Sequence, residues 1–204
     1  MCEYSPFCFQ KLCAVPRHAS ESGGVFSMLK PTATVPVSTQ GRHGDGSWCK
    51  YKQMIPLNLP SFNIKTKVQG GRTLVFDFLR RRYVTLTPEE WVRQHFVHFL
   101  VEHKGYPAAL LGNEVGLKVG GVSRRCDSVL YHRDGGRPRA IVEYKAPSVP
   151  ITQQVFTQIA SYNSVLRADY LFVTNGINHY CCHIDYEAGN VEYLREIPAY
   201  SELK

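Results

Sequence analysis

The sequence predicts an α/β fold: a mixed central sheet flanked by helices on both faces. Three observations carry this. A helix with both ends marked covers "LTPEEWVRQHFVHFLVEHKGYP". Three strand candidates follow in succession, at 113–119, 126–132 and 139–145. A second amphipathic helix, 151–166, then leads into strands at 170–174, 178–184 and 191–194. The order α-β-β-β-α-β describes a three-strand meander followed by a crossover helix into another strand.

Each element has a local cause. Residues 1–53 include "SESGGVFSMLKPTATVPVSTQGRHGDGS", rich in Ser, Gly, Pro and Thr with no sustained period. Such a segment is expected to be mostly disordered, and Met54 is a candidate start for a self-contained domain over 54–204. "NIKTKV" and "TLVFDF" are strand-like runs separated by "QGG", a hairpin signal. In the first helix Thr87 suits the N-cap, Pro88 the first helical position, and Glu90 completes a capping box. Gly105 and Pro107 mark its stop, and Val92, Phe96, Phe99 and Leu100 supply an apolar stripe. In the second helix Ile151, Val155, Ile159, Tyr162 and Leu166 share one face. No internal repeat is present.

Composition narrows the function classes. The chain has 204 residues, 44% apolar and 20% charged, enough for one domain with a real core. No apolar run approaches the roughly 18 residues of a membrane span, and no signal peptide is evident at the N-terminus, so a cytoplasmic protein without membrane attachment is expected. The net charge of +7 and pI of about 9.1 favour an anionic partner. The seven cysteines include no C-x-x-C pair, so free thiols in a reducing compartment are expected. No phosphate-binding G-x-x-x-x-G-K-[ST] loop and no G-x-S-x-G elbow occurs. His95 and His98 are i, i+3 but lack a third ligand.

The chemistry concentrates in "IVEYKAP", residues 141–147. Alternation along a strand puts Ile141, Glu143 and Lys145 on one face. Glu-x-Lys occurs three times, and only Glu143–Lys145 sits in a buried type of strand. The preceding run "RCDSVLYH" is joined to it by the turn-forming "RDGGR". A hairpin centred on Gly135 sets Asp127 opposite Glu143, with Cβ atoms about 4.5–5.5 Å apart. A one-residue bulge would move Asp127 to the other face. Facing carboxylates need compensation. Two remedies fit: a hard divalent cation, Mg²⁺ or Mn²⁺, or a structural salt bridge with Lys145.

An acid on one strand, E-x-K on the next, then a helix carrying "QIASY" resembles the PD-(D/E)xK nuclease superfamily. Its RecB-like branch carries a Q-x-x-x-Y element, which Gln158 and Tyr162 match. More narrowly, residues 54–200 resemble the N-terminal nuclease domain of type I restriction enzyme R subunits, through "LTPEEWVRQHFVHFLVEHKGYP" and "VEYKAP". The proline of the superfamily's name is absent; Cys126 precedes Asp127. The resemblance implies a restriction-endonuclease-like core and metal-dependent hydrolysis of DNA, by an endonuclease leaving a 5′-phosphate. It implies Asp127, Glu143 and the Tyr144 backbone carbonyl as Mg²⁺ ligands, with Mn²⁺ able to substitute. Lys145 is the implied catalytic lysine, and Gln158 joins the catalytic set. Glu90 matches an acid that reaches the metal through water, alongside its capping role; Glu114 is a weaker substitute.

Arg124, Arg125 and Tyr162 are the expected nucleic-acid contacts, Tyr162 being equally suited to the core. Gln158 could also be a solvent-facing helix residue. Arg80–Arg82 read equally as a solvated face or a phosphate grip. A motor or specificity subunit would have to be a separate chain. The rival readings are a catalytically silent module that binds nucleic acid or a partner on the same fold, and an RNA-directed nuclease.

Overall fold

The computed structural model describes residues 55–134 and 136–204; the expectation for 1–53 lies outside them. Two sheets form. A three-stranded antiparallel sheet comprises β1 (Thr66–Gln69), β2 (Arg72–Asp77) and β3 (Arg82–Thr85). The hairpin signal at "QGG" locates β1 and β2. The four-residue β3 escapes sequence reading because it is hidden behind the charge run Arg80–Arg82. Arg81 takes the turn to it, at φ +52°.

Helix α1 (Pro88–His98) follows and continues as a π-helical turn over Phe99–His103. Thr87 is its N-cap, accepting a bond from the Glu90 N–H at 3.0 Å. The reciprocal half of the expected capping box is absent, because the Glu90 side chain turns inward to Arg80, Arg93 and Gln94.

The second sheet has six strands in chain order: β4 (Leu111–Val119), β5 (Val122–Tyr131), β6 (Pro138–Tyr144), β7 (Tyr170–Thr174), β8 (His179–Asp185) and β9 (Asn190–Leu194). Only β6 and β7 pair in parallel, as the crossover through helix α2 (Gln153–Leu166) requires. The helix starts two residues later than expected, after the cap Thr152, so Ile151 lies outside it and packs against the core instead. Among the described residues no helix is long and apolar enough to cross a membrane.

Alternation along β6 sorts the core into two layers. Ala140, Val142 and Tyr144 pack with Val92 and Phe96 of α1. Ile141 packs with Val155 and Ile159 of α2. Each fully buried Val, Ile or Phe among them contributes about 1.5–3 kcal/mol. Cys181 and Cys182 divide between the same two layers. The sheet is therefore covered on both faces, and Glu143 and Lys145, in phase with Ile141, fall on the α2 side.

The register of the β5–β6 hairpin places the acids. Ser128 pairs with Val142, Val129 with Ile141 and Leu130 with Ala140, the register expected from the sequence. A shift between Leu130 and Tyr131 is absorbed near the turn, away from Asp127. Extending the pairing by one residue sets Asp127 against Glu143.

Candidate functional site

Glu143 is only 3% exposed. Its Oε1 accepts bonds from Lys145 Nζ at 2.6 Å and from Gln158 Nε2 at 2.7 Å. Gln158 also donates from Nε2 to the Tyr162 hydroxyl at 2.9 Å, and its Oε1 accepts from Lys145 Nζ at 3.1 Å. The strand supplies the acid and the lysine; one face of α2 supplies the amide and the phenol. Gln158 is thus a partner of the buried acid, not a solvent-facing residue. Tyr162 is buried and enters through Gln158, so it does not present its ring at the surface.

Asp127 lies at the mouth of the β5–β6 ladder. Its Oδ2 accepts from the Tyr144 main-chain N–H at 2.9 Å, and its Oδ1 from Arg93 Nη2 at 2.8 Å. On β5, Cys126 and Val129 both pack in the α2 layer although three residues apart. Strict alternation is therefore broken around Asp127 and Ser128. Opposite them on β4, Glu114 takes φ +59°. This irregularity lets Asp127 stay beside Glu143 while it also reaches α1.

Arg93, 4% exposed, was not legible as a site residue. Its guanidinium meets Glu90 Oε2 at 2.7 Å, Glu114 Oε1 at 2.7 Å and Asp127 at 2.8 Å. Glu90 is held in turn by Arg80 and Gln94. Arg80 also pairs with buried Asp77, which accepts from Asn113. Asn113 accepts from Ser128, and Ser128 from the Tyr144 hydroxyl. A continuous polar layer thus ties β2, α1, β4, β5 and β6 together beneath the acids. The expectation for Glu90 changes accordingly: it meets Asp127 through Arg93. The first-turn acid with an electrostatic line to Asp127, Glu143 and Lys145 is its neighbour Glu89, which is half-exposed. A single arginine between the core residues Val92 and Phe96, one turn after Glu89–Glu90, is the signal that could have revealed Arg93.

Burial pushes the Glu143 carboxyl up to about 7, with the Asp127 charge adding to it and Lys145 opposing. Burial also raises Asp127, against the pull of Arg93 and the Tyr144 N–H. Burial alone would lower Lys145, but its bond to Glu143 and the charges of Glu143, Glu89 and Asp127 more than offset this and raise it. Two neighbouring carboxyls that both resist ionisation mark a site short of positive charge.

That shortage, and the all-oxygen donor set, fit a hard divalent cation. Lys145 and Gln158 both bind Glu143 Oε1, leaving Oε2 outside this network. A strand residue directs its N–H and C=O to the same edge, which turns the Tyr144 carbonyl toward the Asp127 side. Among the described residues no group of three or more His, Cys, Asp or Glu side chains converges as a ready ligand set. The donors at hand are two carboxylates and a carbonyl.

The basic clusters divide. Arg124 and Arg125 are exposed beside Asp127, and Arg125 pairs with Glu114 at 3.0 Å. Arg80 is consumed by Asp77 and Glu90, Arg137 by Asp169, and Arg139 by the main-chain carbonyls of Leu203 and Lys204. Arg81 and Arg82 are exposed. Of the histidines on α1, His95 bonds the Trp91 carbonyl and His98 the Glu102 carboxylate.

Residues 88–198 match the profile of the type I restriction enzyme R protein N terminus (HSDR_N), and the chain belongs to that family. The matched span begins at Pro88 and contains Asp127, Glu143, Lys145, Gln158 and Arg93, while Asp77 and Arg80–Arg82 precede it. Among solved structures the chain is similar to a fragment assigned to the HsdR subunit of a type I restriction enzyme from Vibrio vulnificus YJ016. The two are 25% identical with a TM-score of 0.43, over 58% of this chain and 24% of that one. The chain thus spans about a quarter of that relative's length. A search of the curated proteins gives no match.

Proposed function

We propose that the chain is a Mg²⁺-dependent nuclease domain on a restriction-endonuclease-like core, hydrolysing DNA phosphodiester bonds within a type I restriction assembly. The observation that carries this reading is the joint placement of Glu143, Lys145 and Gln158, with Asp127 hung on the adjacent Tyr144 N–H. Asp127, Glu143 and the Tyr144 carbonyl would hold the cation, and Mn²⁺ would serve in its place. Bound there, the ion would supply Lewis-acid activation of the phosphate and a more acidic water.

The protein's own residues divide the remaining work. Lys145, whose raised affinity for its proton keeps it an ammonium, would orient the attacking water and stabilise charge on the phosphorane oxygens. Gln158 would fix the Glu143 carboxylate, leaving Oε2 for the ion. Arg124 and Arg125 would meet flanking phosphates. A motor and a specificity subunit would be its partners in such an assembly.

The second reading is a silent nucleic-acid-binding or partner-binding module. It is favoured by Arg93 already neutralising Asp127 and by the lack of a third acidic side chain at the site. Plasmid nicking decides between them. The nuclease reading expects nicking in Mg²⁺ or Mn²⁺ that EDTA abolishes and that Lys145→Ala lowers by at least two orders of magnitude. Equal inertness of both proteins across metals and substrates would overturn it in favour of the binding module.

A further inference from the structure

The β1–β3 sheet lies outside the family-matched residues, and its outer face has a composition of its own. Between residues 55 and 87 the chain carries six Lys or Arg and one acid, Asp77. That acid is fully buried on the inner face and spent on Arg80. Val75, on the same inner face, is also fully buried.

The register fixes what remains outside. Lys67 pairs with Leu74, and Phe76 pairs with Tyr83. The Phe76 N–H bonds the Lys65 carbonyl, so Lys65 sits opposite Phe76. Residues directly opposite share a face, and alternation adds Arg72 to Leu74 and Phe76. Lys65, Lys67, Arg72, Leu74, Phe76 and Tyr83 therefore share the outer face, with no carboxylate among them. Lys65, Lys67 and Arg72 are exposed, and Tyr83 is 39% exposed. The Lys67 ammonium stands 4.4 Å from the centre of the Tyr83 ring, and Phe76 meets the same ring edge-on at 5.3 Å.

We infer that this face is a docking platform for an unpaired DNA strand, feeding the proposed nuclease site and resting on that reading of it. Three cations without a counter-acid complement a phosphate backbone. An exposed, braced tyrosine offers a π-face on which an unstacked base can lie, whereas paired bases keep their faces inside the duplex. The platform is fastened to the site from behind. Asp77 of β2 and Arg80 of the following turn bond Asn113 and Glu90, the latter holding Arg93 and through it Asp127. A strand held on the outer face is thus carried by the same rigid polar layer that positions the acid.

The test is fluorescence anisotropy on the full chain in EDTA, with a mixed-sequence single-stranded oligonucleotide and its duplex across a salt series. Plasmid nicking in Mg²⁺ runs in parallel. The expected result is tighter binding of the single strand. Tyr83→Ala should weaken it about tenfold. Lys67→Ala and Arg72→Ala should each flatten the salt slope by about 0.7. Arg195→Ala, at an exposed cation on a different surface, should leave both unchanged. Circular dichroism of each variant confirms folding. Binding lost in the variants supports the platform even where nicking is absent, in which case only the nuclease reading falls. Nicking together with variants that bind like the parent, or with preferred binding of the duplex, overturns the platform and spares the nuclease. A chain that neither binds nor nicks overturns both.

Discussion

Arg93 faces Glu90, Glu114 and Asp127 with one positive charge, in a place almost closed to water. Removing one partner from a buried ion cluster costs about 3–5 kcal/mol, because the remaining charges are left uncompensated. Arg93→Met should therefore lower stability by about that amount in urea unfolding. The deficit should shrink toward pH 5, as Asp127, which burial raises and Arg93 otherwise holds down, takes up a proton. A deficit that stays constant with pH would mean that Arg93 acts by packing alone, through its contact with the Tyr144 ring. At this scale the sequence is most informative where a regular period applies, on a strand or on a helix. Glu143, Lys145, Gln158 and Tyr162 were found by parity and i, i+4 spacing, and they meet through direct bonds. The resemblance leaves Glu90 either a water-mediated metal ligand or a capping residue, and its side chain holds Arg93; Arg93 shows in the sequence only as a charge between core positions, with nothing to name its partners.

Among the elements, α1 shows how a local signal and a tertiary demand compete for one residue. Thr87, Pro88 and Glu90 spell a capping box, and the threonine half forms. The glutamate half yields to Arg80, Arg93 and Gln94, since charge-assisted bonds in a buried place outweigh a solvated bond to one N–H. Thr87→Ala should accordingly cost about 1 kcal/mol, the usual value of an N-cap, measured as a shift in unfolding midpoint. The loop after β7 makes a different demand. Gly176 has φ +81°, and a Cβ there would lie 2.7 Å from Leu57 Cδ2. Gly176→Ala should destabilise the chain by more than the Thr87 change, through both left-handed strain and the forced retreat of Leu57. The missed strand β3 belongs here as well. Four residues rich in charge carry no alternation strong enough to read, and only pairing with β2 makes them a strand.

Taken as a whole, the molecule buries histidines in their neutral form, and this shapes its response to acid. Burial holds His95 down at about 4, against the opposing bond to the Trp91 carbonyl, and it also lowers His179. In the unfolded chain both protonate near 6.5. Their contribution is therefore fully present above about pH 6.5 and is lost as pH falls toward the folded value. For His95 the span corresponds to about 3 kcal/mol. Thermal melts from pH 7.5 to 4.5 should show a falling midpoint, and His95→Gln should flatten that limb. An unchanged limb in the variant would assign the acid sensitivity to other groups.

The sequence by itself determined the order of elements from α1 to β9, the register of the β5–β6 hairpin and the acid–lysine pair. Those features depend on residues close in the chain, where a period of two or 3.6 and a turn position fix the geometry. Only the tertiary structure decided that one arginine would join three carboxylates from α1, β4 and β5, and which acid of the first turn would look toward the site. It alone drew Arg80 and Arg93 into the polar layer and left Arg124 and Arg125 exposed. Such assignments rest on contacts between segments tens of residues apart, where burial and charge pairing, not local periodicity, select the partner.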